Sequence, residues 1–183
     1  MCGAPRRLGV PARGFTLLEM LVVLAIIGIV TAGVLLSLNL SGHDPALHTD
    51  ARRLRSLLHY AREQAELQTR DYGVVFDSGG YAFVVFSEQR NQWRAVSGDG
   101  ALRPRRLAHG LQLKVVVDGR TVKLHAKAKS NGALAPQVVL YSSGDLSTFE
   151  LTVRRPGTAR GFLIKPDRDG HIIERRLAAA HSP

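Results

Sequence analysis

The sequence is nearly empty of the residues that do chemistry. It has one cysteine, Cys2, among 183 residues. A disulfide framework is excluded, and so are a thiol nucleophile and a cysteine-ligated metal in the body of the chain. No lipobox precedes Cys2, so a lipid-modified cysteine is excluded as well. The seven histidines (His43, His48, His59, His109, His125, His171 and His181) are scattered. None of them pairs at metal-ligand spacing, and His59 reads as packing or surface. There is no GxSxG, no glycine-rich phosphate loop and no HExxH. Asp167-Arg168-Asp169-Gly170 begins like a calcium loop but lacks the later acidic ligands. Turn chemistry accounts for it better. A membrane-anchored enzyme is therefore the least supported class, and no cofactor is expected. Aromatic residues are also few, at 6%.

Acids are missing from residues 1–14, which carry Arg6, Arg7 and Arg13. An uninterrupted basic flank of this kind stays on the cytoplasmic side of a membrane. It is followed by Arg13-Gly14-Phe15-Thr16-Leu17-Leu18-Glu19 and a nearly unbroken apolar run from Met20 to Leu36. Residues 15–38 form a helix of about 36 Å at 1.5 Å per residue, enough to cross a bilayer core. A single carboxylate inside hydrocarbon costs about 2.5–3.5 kcal/mol on insertion scales. Glu19 therefore needs a partner. An ordinary secretory signal peptide, cut after Val30-Thr31-Ala32, would place Glu19 within its apolar region. The Gly14-Phe15 junction also falls before the apolar segment rather than after it, where a signal peptide would be cut. Gly28 and Gly33 suit close helix packing in a membrane.

The segment Gly14-Phe15-Thr16-Leu17-Leu18-Glu19 resembles the type IV pilin-type processing site. That resemblance implies cleavage after Gly14 by a prepilin peptidase, methylation of the new amino terminus at Phe15, and use of Glu19 in assembly. Removing the three arginines of residues 1–14 lowers the formal charge from +10 to +7 for the rest.

Asp44-Pro45 reads as a helix start, with aspartate at the N-cap and proline in the first turn. Leu47, Ala51, Leu54, Leu58, Ala61 and Ala65 then recur at steps of three and four. This predicts an amphipathic helix over 44–71. Arg52, Arg53, Arg55, Arg62, Glu63 and Glu66 fall on its other faces and read as a solvated surface. The pattern then shifts to short apolar runs. Asp77-Ser78-Gly79-Gly80, Asp118-Gly119 and the 167–170 cluster are hairpin turns between strands. Further strands are expected near Trp93 to Val96, Gln137 to Tyr141 and Phe149 to Val153. Lys127 to Pro136 is the loosest stretch. The expectation is an α+β protein: leader 1–14, membrane and assembly helix 15–38, amphipathic helix 44–71, and a β-rich domain 72–183 whose antiparallel strands pack on the helix.

Ala51-Arg52-Arg53-Leu54-Arg55-Ser56-Leu57-Leu58, with Ala61-Arg62-Glu63-Gln64-Ala65, is similar to the helix of the GspH/FimT pseudopilin family. Tyr72-Gly73-Val74-Val75-Phe76-Asp77 and Gly80-Tyr81-Ala82-Phe83 fit its first strand pair. Leu140 to Leu151 resembles its late segment, although Tyr141-Ser142-Ser143 departs from the usual phenylalanine-x-proline lead-in. The resemblance implies a long helix packed on a β-sandwich-like domain. It also implies a minor pseudopilin of the type II secretion system, placed near the tip of a periplasmic pseudopilus. Its implied partners are the other minor pseudopilins and the major one. Its implied location is the inner membrane, single-pass, with the amino terminus cytoplasmic and the globular domain periplasmic. The FimT side of the family offers the alternative, a type IV pilus minor pilin for pilus assembly or DNA uptake. Arg103-Pro104-Arg105-Arg106, Arg154-Arg155 with Arg160, and Arg175-Arg176 are the basic clusters available to DNA. They are dispersed and have few aromatics beside them, which favours a solvated surface over nucleic acid.

Overall fold

The computed structural model describes residues 17–40, 44–125, 135–158 and 160–177. It divides into two units, Met1–His43 and Asp44–Pro183, each described by itself. The described part of the first unit is one helix, α1 (Leu17–Leu40). Its sequence is apolar on every side, so no stripe distinguishes a core face from a solvent face.

The second unit opens with α2 (Pro45–Gln68). Asp44 caps it by accepting from the Leu47 N–H at 3.1 Å, and Pro45 fills the first turn, where no N–H is needed. Thr69, in the left-handed region at φ 50°, ends the helix. The buried stripe comprises Leu47, Ala51, Leu54, Leu58, Ala61 and Ala65, the six positions that the periodicity predicts, together with Asp50.

Ten strands follow. The first sheet holds β1 (Tyr72–Asp77), β2 (Gly80–Ser87), β3 (Gln92–Ala95), β4 (Arg105–Arg106) and β7 (Val138–Leu140). Its order is β3-β2-β1-β7, with β4 also paired to β2. The second sheet holds β5 (Gln112–Val117), β6 (Arg120–Thr121), β8 (Phe149–Arg154), β9 (Gly161–Pro166) and β10 (Ile172–Leu177), in the order β10-β9-β8-β5-β6. All pairings are antiparallel.

The turns form where the sequence places them. Asp77 Oδ1 accepts from the Gly79 N–H at 2.8 Å and closes the β1–β2 hairpin. Asp118 and Gly119 both have positive φ, at 48° and 75°, as a tight two-residue hairpin requires. One core joins α2 to the inner faces of both sheets. It includes Val74, Phe83 and Leu140 from the first sheet and Val115, Leu151 and Ile164 from the second. The protein is thus α+β, with a helix on a two-sheet β domain. β4 was not expected from its sequence: Arg105-Arg106 carries no apolar alternation and pairs only because Gly80 lets the chains approach. The strand after the Asp118-Gly119 turn is short, β6 covering only Arg120–Thr121. Of the Lys127 to Pro136 stretch, residues 127–134 lie outside the described residues.

Candidate functional site

Gly14 and Phe15 lie outside the described residues. Glu19 sits in the first turn of α1 and is the only ionisable residue of that helix. A carboxylate there is favoured by the positive end of the helix dipole. Around it Leu17, Leu18, Leu21, Leu24 and Ile29 are each more than 65% exposed. The Thr31 hydroxyl is returned to the backbone, donating to the Ile27 carbonyl at 2.7 Å. A Cβ built on Gly28 meets nothing within 4 Å, so nothing within the described chain demands glycine at that position. Only Leu17 to Thr31 of α1 have described side chains. Among the described residues no helix is long and apolar enough to cross a membrane. The spanning expectation draws instead on the sequence of residues 15–38, in which Glu19 is the only charge.

The start of α2 is a built junction. Asp44 caps the helix and also takes a two-pronged ion pair from Arg155, in the turn after β8. The hydrogen bond from Arg155 is the main cause holding the Asp44 carboxyl below its ordinary range; desolvation opposes it and the Leu47 N–H adds to it. Nearly two turns further, buried Asp50 accepts from the Ala108 N–H at 2.6 Å and from Arg53 Nη1 at 3.3 Å. On the opposite flank, Arg62 Nη1 donates to the Gly170 carbonyl at 2.6 Å. His59 Nε2 lies 3.0 Å from the Ile172 carbonyl, and Arg55 faces Glu174 at 3.9 Å. Arg55, His59 and Arg62 therefore dock α2 along β10 and its preceding turn. Arg55 and Arg62 are thus not simply a solvated surface, as their positions on the polar faces of the helix suggested, and His59 takes the packing role, one of the two expected of it. Sequence reasoning missed Asp50 and the partner of Asp44. Only the position of Asp50 beside the apolar stripe could have signalled it.

The arginines considered for DNA divide between the two sheets. Arg105 and Arg106 are on the first sheet; Arg154, Arg175 and Arg176 are on the second, with Arg155 in the turn after β8. Several are already occupied. Arg106 pairs with Asp77 at 3.1 Å, Arg105 donates to the Ala101 carbonyl at 3.2 Å, and Arg155 is held by Asp44. Arg176 lies 6.0 Å from the Phe162 ring centre.

Two open grooves of about 370 and 480 Å³ flank Arg70; in the first, Asp71 Oδ1 accepts from the Ser142 backbone N–H at 2.8 Å. Ser87 at the second groove points its hydroxyl at Gln89. Asp167, Asp169 and His171 bring ligand atoms within 4.8 Å of one another. Asp167 Oδ1 already accepts from the N–H groups of Asp169 and His171, at 3.0 and 2.8 Å, so the cluster closes a turn.

The model of the prokaryotic N-terminal methylation motif matches residues 11–35. The model of the type II transport protein GspH matches residues 50–170, more than half of the chain. This chain belongs to the GspH family. Its relatives include type II secretion system protein H of Pseudomonas aeruginosa, 29% identical over 90% of this chain and 95% of that protein. Protein H of Aeromonas hydrophila is 28% identical over 87% of this chain and 91% of that protein. The solved minor pseudopilin EpsH of Vibrio cholerae superposes with a TM-score of 0.60 at 23% identity, over 75% of this chain and 99% of that one. The family fold is therefore the α2-on-two-sheets arrangement described above.

Proposed function

We propose that this chain is a minor pseudopilin of the type II secretion system, a structural subunit that supports export of folded proteins. The observation that carries the reading is the presence, on one chain, of the methylation motif over residues 11–35 and the GspH match over 50–170. In this reading residues 1–14 are a leader that prepilin peptidase removes between Gly14 and Phe15, and Phe15 is methylated. Residues 15–38 then anchor the chain in the inner membrane with the amino terminus cytoplasmic. The amphipathic helix (44–71) and the β-rich domain (72–183) stand in the periplasm. There the subunit joins other minor pseudopilins and the major one near the pseudopilus tip. The role is assembly rather than catalysis, and no cofactor takes part.

The division of labour follows from the residues. Apolar helices supply contact area without selectivity. Glu19 supplies register, because pairing with a neighbour's amine offsets the cost of a carboxylate in hydrocarbon. The folded domain, with its own core, supplies partner choice. Arg106 and Arg155 already have carboxylate partners, which weakens the DNA-uptake alternative.

Mass spectrometry of the mature protein tests the processing step. A methylated Phe15 terminus is expected; a terminus at Gly33, after Val30-Thr31-Ala32, overturns it. Deletion of the gene should abolish type II secretion, and the intact gene should restore it. Tight retention on DNA at about 0.15 M salt, together with undisturbed secretion, would favour the pilus alternative instead.

A further inference from the structure

The second sheet has two faces, and the core uses one. Leu113, Val115, Leu151, Val153, Phe162 and Ile164 point inward and are buried. The alternate residues form an outer grid, because the register is continuous across four strands. Lys114 pairs with Thr152, Thr152 with Leu163, and Leu163 with Arg175. At about 4.8 Å between strands, this row is about 14 Å long. In the row on one side, Arg154 stands opposite Gly161, which pairs with Leu177. In the row on the other side, Lys165 pairs with Ile173 and holds Glu150 at 3.3 Å.

The chemistry of this grid is uneven. Lys114, Arg154 and Arg175 are exposed. No hydrogen bond or ion pair from their side chains to the protein is formed among the described residues. Glu150 is the grid's one acid, and it is already paired to Lys165. Leu163 lies between Lys114 and Arg175 in the middle row, and Ile173 and Leu177 flank Arg175 along the edge strand β10; all three aliphatic side chains are half-buried. Free cations interleaved with aliphatic side chains offer both the apolar contact and the charge that a specific protein interface combines.

We propose that this outer face docks another subunit of the same pseudopilus, one that presents carboxylates interleaved with aliphatic side chains. The inference rests on the pseudopilin reading above. A second copy of this chain does not fit, because it would bring the same cations against themselves, and like charges across an interface are costly. Nucleic acid fits less well. Phosphates leave Leu163 and Ile173 uncovered, and Phe149 and Phe162, the aromatics of this sheet, are buried where no base can stack on them.

The test uses the full chain in cells that carry the secretion system. The mature chain is expected to lack cysteine, so Thr152→Cys can be tagged with a thiol-reactive photo-crosslinker; Arg90→Cys, after β2 of the first sheet, is the comparison site. An adduct between Thr152→Cys and another pseudopilin is expected. It should fall roughly tenfold when Lys114→Glu and Arg175→Glu are added, and it should weaken in isolated membranes as salt rises. Protein level and protease resistance of the charge-reversed chain should match the parent. Pseudopilin adducts from Arg90→Cys alone, or a Thr152→Cys adduct indifferent to charge reversal, would overturn the docking face and leave the pseudopilin reading intact. A Thr152→Cys adduct with a second copy or with nucleic acid would also overturn it. Adducts only with type IV pilus subunits would defeat the pseudopilin reading itself.

Discussion

Arg155 grips Asp44 with two donors: Nε reaches one carboxylate oxygen and Nη2 reaches the other at 3.2 Å. The same carboxylate caps α2 through the Leu47 N–H. One side chain thus starts the helix and ties it to the β8–β9 turn, 111 residues further along the chain. Asparagine caps a helix about as well as aspartate, so two substitutions separate the two roles. Asp44→Ala should lower stability by about 1–2 kcal/mol in urea unfolding. Asp44→Asn should cost less, because only the charge pair is weakened. The pH dependence has a definite sign. The Asp44 carboxyl is depressed, so its contribution is complete above the ordinary value of 3.8 and is lost as pH falls through the folded value. Acid unfolding of Asp44→Asn should accordingly be less steep below about pH 4 than that of the parent.

Asp50 is the other carboxylate of α2 with a structural task. It is 7% exposed and receives the Ala108 N–H at 2.6 Å. Asp50→Ala should cost about 1–3 kcal/mol, because it strands that N–H with no acceptor. Arg53→Ala should cost under about 0.5 kcal/mol, because an ion pair with one partner half in water is weak. Equal losses from the two variants in denaturant unfolding would show that the ion pair, not the backbone hydrogen bond, matters at this position.

Gly80 is needed for lack of a side chain. A Cβ placed there would stand 2.1 Å from the Arg105 carbonyl oxygen, which belongs to the backbone and cannot turn aside. Gly80→Ala should therefore cost about 1–3 kcal/mol by overpacking. It should also pull β4 off β2. The Leu107 N–H, which donates to the Gly79 carbonyl at 2.9 Å, should then exchange with solvent faster, while the β8–β9 amides stay protected. Unchanged exchange at Leu107 would refute this account.

Local signals were the legible ones. The apolar stripe of α2, its Asp44-Pro45 start and the Asp118-Gly119 hairpin are each written within a few neighbouring residues, and each forms as the pattern dictates. The hidden features are long-range. Nothing near Asp44 in sequence points to Arg155, and nothing near Arg62 points to the Gly170 carbonyl. Arg105-Arg106 reads as a surface charge cluster until Gly80 admits it to the sheet. The docking face was hidden for the same reason. Lys114, Arg154, Lys165 and Arg175 come from four strands and become neighbours only through register.

Glu19 carries the last prediction. It is the single charge on α1, placed in the helix's first turn. Phe15 is four residues earlier, about 6 Å along a helix axis. A neighbour displaced by about one turn would bring its Phe15 amine level with this carboxylate. Pairing the two would offset part of the cost of placing a carboxylate in hydrocarbon, about 2.5–3.5 kcal/mol on insertion scales. Glu19→Ala should leave processing at Gly14 and Phe15 intact, since the cut precedes the helix. It should nevertheless reduce incorporation into the pseudopilus and, with it, secretion. Glu19→Gln keeps the shape and the hydrogen-bonding groups but removes the charge. If charge pairing sets the register, Glu19→Gln should fail as Glu19→Ala does. The measurements are the mature N-terminus by mass spectrometry, cross-linking to neighbouring pseudopilins, and the amount of substrate released. Normal cross-linking and secretion in Glu19→Ala would remove the assembly role from this carboxylate. Loss in Glu19→Ala with full function in Glu19→Gln would assign the effect to hydrogen bonding rather than charge.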